Sequence, residues 1–162
     1  MADQQERPSD LDLGWLIGAT EGEGCFTVLR SKWRHDQIYY SIAVIISNTH
    51  PEFIEKLARI LTEARVGHHV RWRSVEQQLA HSRLVKRPLA QVTIWGVGRV
   101  KQFLGLTEGL WTSKRRQADV LTEFSALPRP YKGAAFETLY ERNKALNKGI
   151  LTDYTLGQPP AA

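Results

Sequence analysis

Two carboxylates and two glycines alternate in the segment Glu21-Gly22-Glu23-Gly24. Carboxylate oxygens are hard donors suited to Mg²⁺ or Mn²⁺. Glycines beside them let a metal and a phosphate approach the backbone closely. A divalent metal held there polarises a phosphodiester and activates water for its cleavage. One copy of the turn supplies too few acids for a complete site, so a second copy of the chain is expected to help. Alone, such a turn is more often a plain helix terminus.

A second set of residues is cationic. From Val28 to Lys101 there are 13 Lys and Arg against 5 Asp and Glu, or +8, while the whole chain carries +5; the rest therefore carries −3. The charge falls where strands are expected. Arg30, Lys32 and Arg34 recur at alternate positions, as do Arg71 and Arg73, with Gln91 and Thr93 on a return strand. Arg83, Lys86 and Arg87 stand in the connecting segment. Arg pairs with guanine and Gln with adenine in the major groove. Double-stranded DNA is the expected partner, against the bland alternative of a solvated face. RNA stays open, because Trp33, Tyr39, Tyr40 and Trp72 are strand aromatics of the kind that stack on bases.

Other chemistry is poorly served. The 5 His and 1 Cys have no zinc-ligand spacing, and no Gly-rich loop ends in Lys-Ser or Lys-Thr. The lone Cys25 rules out a disulfide within the chain and reads as a small buried residue. No apolar run is long enough to span a bilayer, so no membrane role is expected. Residues 1–9 read as a disordered lead without the pattern of an export signal, as in an intracellular protein.

The acidic turn must be positioned by a helix from Ser9 or Asp10 to about Glu21. Asp12 in its first turn suits the helix dipole. Leu11, Trp15, Leu16 and Ala19 give it an apolar face. Gly14, Gly18 and Gly22 recur every fourth residue, each costing about 1 kcal/mol relative to Ala. Such a stripe suggests close approach by another backbone.

Strands at 25–32 and 39–47 form a hairpin around a polar turn. A helix over 52–64 follows, capped by Asn48 or Thr49. A second hairpin uses 69–75 and 89–95, joined by a long polar loop. Helices over 98–106, 112–124 and 136–148 complete the chain. Lys114, Arg115 and Arg116 crowd the start of the second of these, where cations are disfavoured unless an anion lies near. The order αββαββα with C-terminal helices is an α+β fold carrying a four-stranded antiparallel saddle. Its core spans 10–126, and 127–162 is a helical extension and tail.

The stretch Trp15-Leu16-Ile17-Gly18-Ala19-Thr20-Glu21-Gly22-Glu23-Gly24-Cys25-Phe26 resembles the signature of the LAGLIDADG homing endonucleases. Ile17-Gly18 stands where the motif has Ala-Gly, Glu21 and Glu23 match its two acids, and Gly24 its last glycine. Departures are the less apolar Ala19-Thr20 and Glu in place of Asp at both acids. The junction Ser47-Asn48-Thr49-His50-Pro51-Glu52 and the segment Ser113-Lys114-Arg115-Arg116-Gln117-Ala118 are also similar to the family's pattern.

The resemblance implies a single-motif, homodimeric endonuclease. Gly14, Gly18 and Glu21 would lie at the dimer interface. Glu23, with the carbonyl of Gly22, would bind the metal. Lys114 would be the basic catalytic residue and Arg116 its reserve, while Ser47 or Asn48 lies nearest the water-positioning place. The expected reaction is a double-strand break with short 3′ overhangs in a long pseudo-palindromic site. Members are typically intron- or intein-encoded, and some relatives are RNA maturases or bind without cutting.

Overall fold

The computed structural model describes residues 7–79 and 86–149. Arg83, the first part of the expected lead and the tail from residue 150 lie outside the described residues.

The chain opens with α1 (Asp10–Glu23). Ser9 caps it, its hydroxyl accepting from the Asp12 N–H at 3.1 Å. Leu16 and Thr20 are fully buried on one side. The Gly24 N–H bonds back to the Thr20 carbonyl. Helical bonding therefore runs two residues past the expected end, and both acids belong to the helix.

β1 (Gly24–Lys32) and β2 (Ile38–Asn48) form the first hairpin. α2 (Pro51–Glu63) follows, burying Ile54, Leu57, Ile60 and Leu61. Pro at its first turn starts it without a lost hydrogen bond. His50 rather than Asn48 or Thr49 holds the cap position, with no side-chain cap; Asn48 Oδ1 instead accepts from the His50 N–H at 2.9 Å. β3 (His69–Arg73) is two residues shorter than expected because Val75–Leu79 folds into a short helix, α3. The Ser74 and Gln77 side chains exchange hydrogen bonds with each other's backbone N–H there. β4 (Leu89–Trp95) returns through the sheet. α4 (Val97–Leu106), α5 (Arg115–Ala126) and α6 (Ala134–Asn147) complete the fold.

The sheet is antiparallel with order β1-β2-β4-β3. Strand side chains alternate between faces. The even-numbered face carries Phe26, Val28, Tyr40, Ile42, Val44, Ile46, Ala90, Val92 and Ile94, all buried beneath the helices. Phe26, Phe103 and Trp111 cluster there, with centroid separations of 5.0 to 6.4 Å. The odd-numbered face is open.

β1 is an edge strand, and α6 closes it. Asn143 is 1% exposed; its Oδ1 accepts from the Val28 N–H at 2.9 Å and its Nδ2 donates to the Phe26 carbonyl at 3.1 Å. One side-chain amide thus does what a neighbouring strand's peptide would do, and it blunts an edge that otherwise invites pairing.

Candidate active site and nucleic-acid interface

The two acids at the end of α1 have different surroundings. The Glu21 carboxylate accepts from the Thr112 N–H at 2.7 Å and the Ser113 N–H at 3.0 Å, and from the Ser113 hydroxyl. Burial pushes the Glu21 carboxyl up, but hydrogen bonds from the Ser113 side chain and from the Thr112, Ser113 and Lys114 backbones outweigh it, leaving the group below its usual range. Glu21 is therefore an anion at the start of the Lys114–Arg116 segment, held by backbone N–H groups rather than by the cationic side chains. α5 begins at Arg115, three residues later than expected, because residues 112–114 wrap around this carboxylate.

Glu23 is the last residue of α1 and is exposed. Among the described residues it has no hydrogen-bond or ion-pair partner. Gly24 behind it is buried and cannot be anything larger: a Cβ there would lie 2.4 Å from the Thr20 carbonyl oxygen. The motif's terminal glycine thus lets the chain turn tightly from helix into strand.

Lys114 takes the N-cap position of α5. Its charge reaches the Cys25 thiol one residue beyond Gly24, opposing the rise that burial imposes on that thiol. This brings Lys114 to the same end of the molecule as the acidic turn. Cys25 is exposed as a residue, contrary to the expectation of a small buried one, because its position in β1 falls on the open face, although its sulfur is partly covered, with Asn147 Nδ2 at 3.7 Å. Arg116 is the second residue of α5 and is half-buried.

The glycine stripe is bare. Gly14, Gly18 and Gly22 are exposed, and a Cβ built on any of them meets nothing within 4 Å. Leu11 at the start of the same helix is 81% exposed. Opposite faces of α1 therefore do different things: Leu16 and Thr20 anchor it, while the glycines face solvent.

The open sheet face holds only part of the expected binding set. Arg71 lies opposite Gln91, and Gln91 opposite Ser47. Thr93 lies opposite His69, and Arg73 is on the same face. Lys86 and Arg87 are exposed just before β4.

Arg30, Lys32 and Tyr40 are on the other face. Arg30 Nε is 3.4 Å from Glu137 Oε2 on α6, and its guanidinium lies 5.8 Å from the Tyr140 ring centroid. Tyr40 is 5% exposed and donates its hydroxyl hydrogen to Glu137. Lys32 pairs with Asp36 at 2.7 Å. Arg34 is in a 3-10 turn, Arg34–Asp36, and not on the strand face assigned to it. The signal was available: Arg30 and Lys32 share parity with Phe26 and Val28, the large apolar residues of β1. Asn48 also faces the helices, so of the two water-positioning candidates only Ser47 reaches the open face.

Sequence reasoning missed Trp95. It is 56% exposed on the open face, and its indole N–H donates to the Ser41 hydroxyl at 3.3 Å. Thr27, Leu29, Ser31 and Ser41 share that face. Among the described residues no helix is long and apolar enough to cross a membrane.

No family model matches the chain, and no curated protein matches it by sequence. Solved structures do match. The homing endonuclease I-CvuI, in a crystal structure with the I-CreI target and Mg, aligns over 91% of this chain and 86% of its own, with TM-score 0.62 and 16% identity. The homing endonuclease I-TnaI aligns over 88% of this chain and 100% of its own, with TM-score 0.59 and 17% identity. The LAGLIDADG meganuclease I-CpaMI, bound to uncleaved DNA, aligns over 91% of this chain but 45% of its own, with TM-score 0.54 and 16% identity.

Proposed function

We propose that this chain, which has the fold of the LAGLIDADG homing endonucleases, is a site-specific DNA endonuclease that works with Mg²⁺ as a homodimer. The observation that carries the reading is the division between the two acids of α1. Glu21 is spent on the 112–113 backbone, and Glu23 is exposed with no partner among the described residues.

The donor chemistry fits a divalent metal. The Glu23 carboxylate and the Gly22 carbonyl are hard oxygen ligands at a solvent-open helix end. Within one copy, no group of three or more His, Cys, Asp and Glu among the described residues is placed to hold an ion. Two copies packed along the Gly14–Gly18–Gly22 stripe would supply two such carboxylates. A bound metal supplies the polarisation of the phosphate and the activation of water. Lys114 balances charge building on the phosphate oxygens, with Arg116 behind it. Ser47 on the open face is the candidate for orienting water.

Arg71, Arg73, Gln91 and Thr93 are the candidates for base contacts, while Lys86 and Arg87 supply phosphate contacts. The reading is supported by I-CvuI, whose crystal structures hold target DNA. A symmetric dimer reads a pseudo-palindromic site. Double-strand cleavage with 3′ overhangs follows from the family resemblance.

The test is incubation with a library of long duplex DNA and Mg²⁺, comparing wild type with Glu23→Gln. Wild type is expected to cut at one site; Glu23→Gln is expected to bind that site without cutting. Tight binding by wild type with no cleavage would move the chain to the maturase or non-cutting class. Cleavage by Glu23→Gln at the wild-type rate would sink the assignment of the acid.

A further inference from the structure

The open sheet face is not uniformly polar. One row across it is Arg71, Gln91 and Ser47, rich in hydrogen-bonding groups. Two rows along, Trp95 lies opposite Ala43, and Ala43 opposite Thr27. In that row the side-chain donors are engaged within the sheet. The only donor of Trp95 goes to Ser41, and the Thr27 hydroxyl donates to the Val28 carbonyl at 3.4 Å. Ala43 is fully buried. The next row pairs Ser41 with Leu29, itself 37% exposed. A ring whose N–H is held by Ser41, with 56% of its surface open, presents mainly carbon.

In the major groove, hydrogen-bonding edges mark all four bases, and the one apolar feature is the C5-methyl of thymine. We infer that Trp95 reads thymine methyl groups within each half-site, while the Arg71–Gln91–Ser47 row reads purines by hydrogen bonds. This rests on the reading that duplex DNA lies on the open sheet face. Direct selection by an apolar side chain predicts discrimination at A·T pairs that depends on one carbon atom. Stacking on single-stranded RNA would instead be indifferent to that atom.

The experiment is selection of bound duplexes from a randomised library without Mg²⁺, followed by binding to the selected site with deoxyuridine in place of thymidine. Removing each contacted methyl is expected to weaken wild-type binding about fourfold, the scale of burying one CH₂-sized group. Trp95→Phe is expected to keep the preference, and Trp95→Ala to bind thymine and uracil sites alike. Equal wild-type affinity for both sites overturns the inference with no variant needed, and leaves DNA binding intact. Unchanged discrimination in Trp95→Ala overturns it too. If no duplex is enriched, or single-stranded RNA binds in preference, the DNA reading fails and the inference with it.

Discussion

The Glu21 carboxylate at the end of α1 accepts a 2.7 Å hydrogen bond from the backbone N–H of Thr112, 91 residues later in the chain. This one contact ties the acidic turn to the segment that carries Lys114. It also places a negative charge at the N-terminal end of α5, where the helix dipole favours one.

Replacing Glu21 with Gln is expected to loosen that tie. Its carboxyl is lowered, so the contribution to stability is full above the unfolded carboxylate value of about 4.3. It is lost as pH falls through the lower folded value. The group is partly solvated, which keeps the net effect near 1 kcal/mol, or roughly 2–4 °C in Tm. Melting at pH 7 and at pH 3 checks this: the gap between wild type and Glu21→Gln should narrow at the lower pH. Cleavage should suffer more than DNA binding, because Lys114 loses its support. A gap that widens on acidification would contradict the assignment.

Gly18→Ala separates monomer stability from association. A Cβ there meets nothing within 4 Å in the single chain. The substitution should raise helix stability by about 1 kcal/mol. If the glycine stripe is where a second copy packs, the same methyl should weaken the dimer. Sedimentation velocity across a dilution series, set beside a thermal melt of the dissociated chain, measures both. A dimer unaffected by the change would place the interface elsewhere.

Asn143→Leu removes a clamp of nearly the same size. The Val28 N–H then loses its partner, whereas the Phe26 carbonyl keeps Asn147 Nδ2 at 2.9 Å. A buried donor without a partner costs about 1–3 kcal/mol. The melting temperature should drop accordingly, and the freed β1 edge should promote association on heating. An unchanged melt with no light scattering would show that α6 does not protect this edge.

Much of the fold was legible because local patterns carried it. The Ile54–Leu57–Ile60–Leu61 stripe specified α2, and β-branched and aromatic residues specified the first hairpin. The limits of α1 and α5 were less legible: Gly24 bonding back to Thr20 ends the first, and Glu21 reaching across the chain to residues 112–113 delays the second. α3 was missed because its stabilising Ser74–Gln77 exchange is a side-chain feature inside a polar stretch.

The sequence by itself determined the acidic turn, the glycine stripe before it, and the αββαββα order. These depend on residues close together in the chain, whose spacing reports local geometry directly. Tertiary structure decided which acid is free, and what each cation does on its sheet face. Alternation says that Arg30 and Lys32 share a face, and that Arg71 and Arg73 share one. The shared parity of Phe26 and Val28 points to the covered face, and packing against α6 decided what each cation does there, drawing Arg30 to Glu137 and leaving Arg71, Gln91 and Trp95 on the open side.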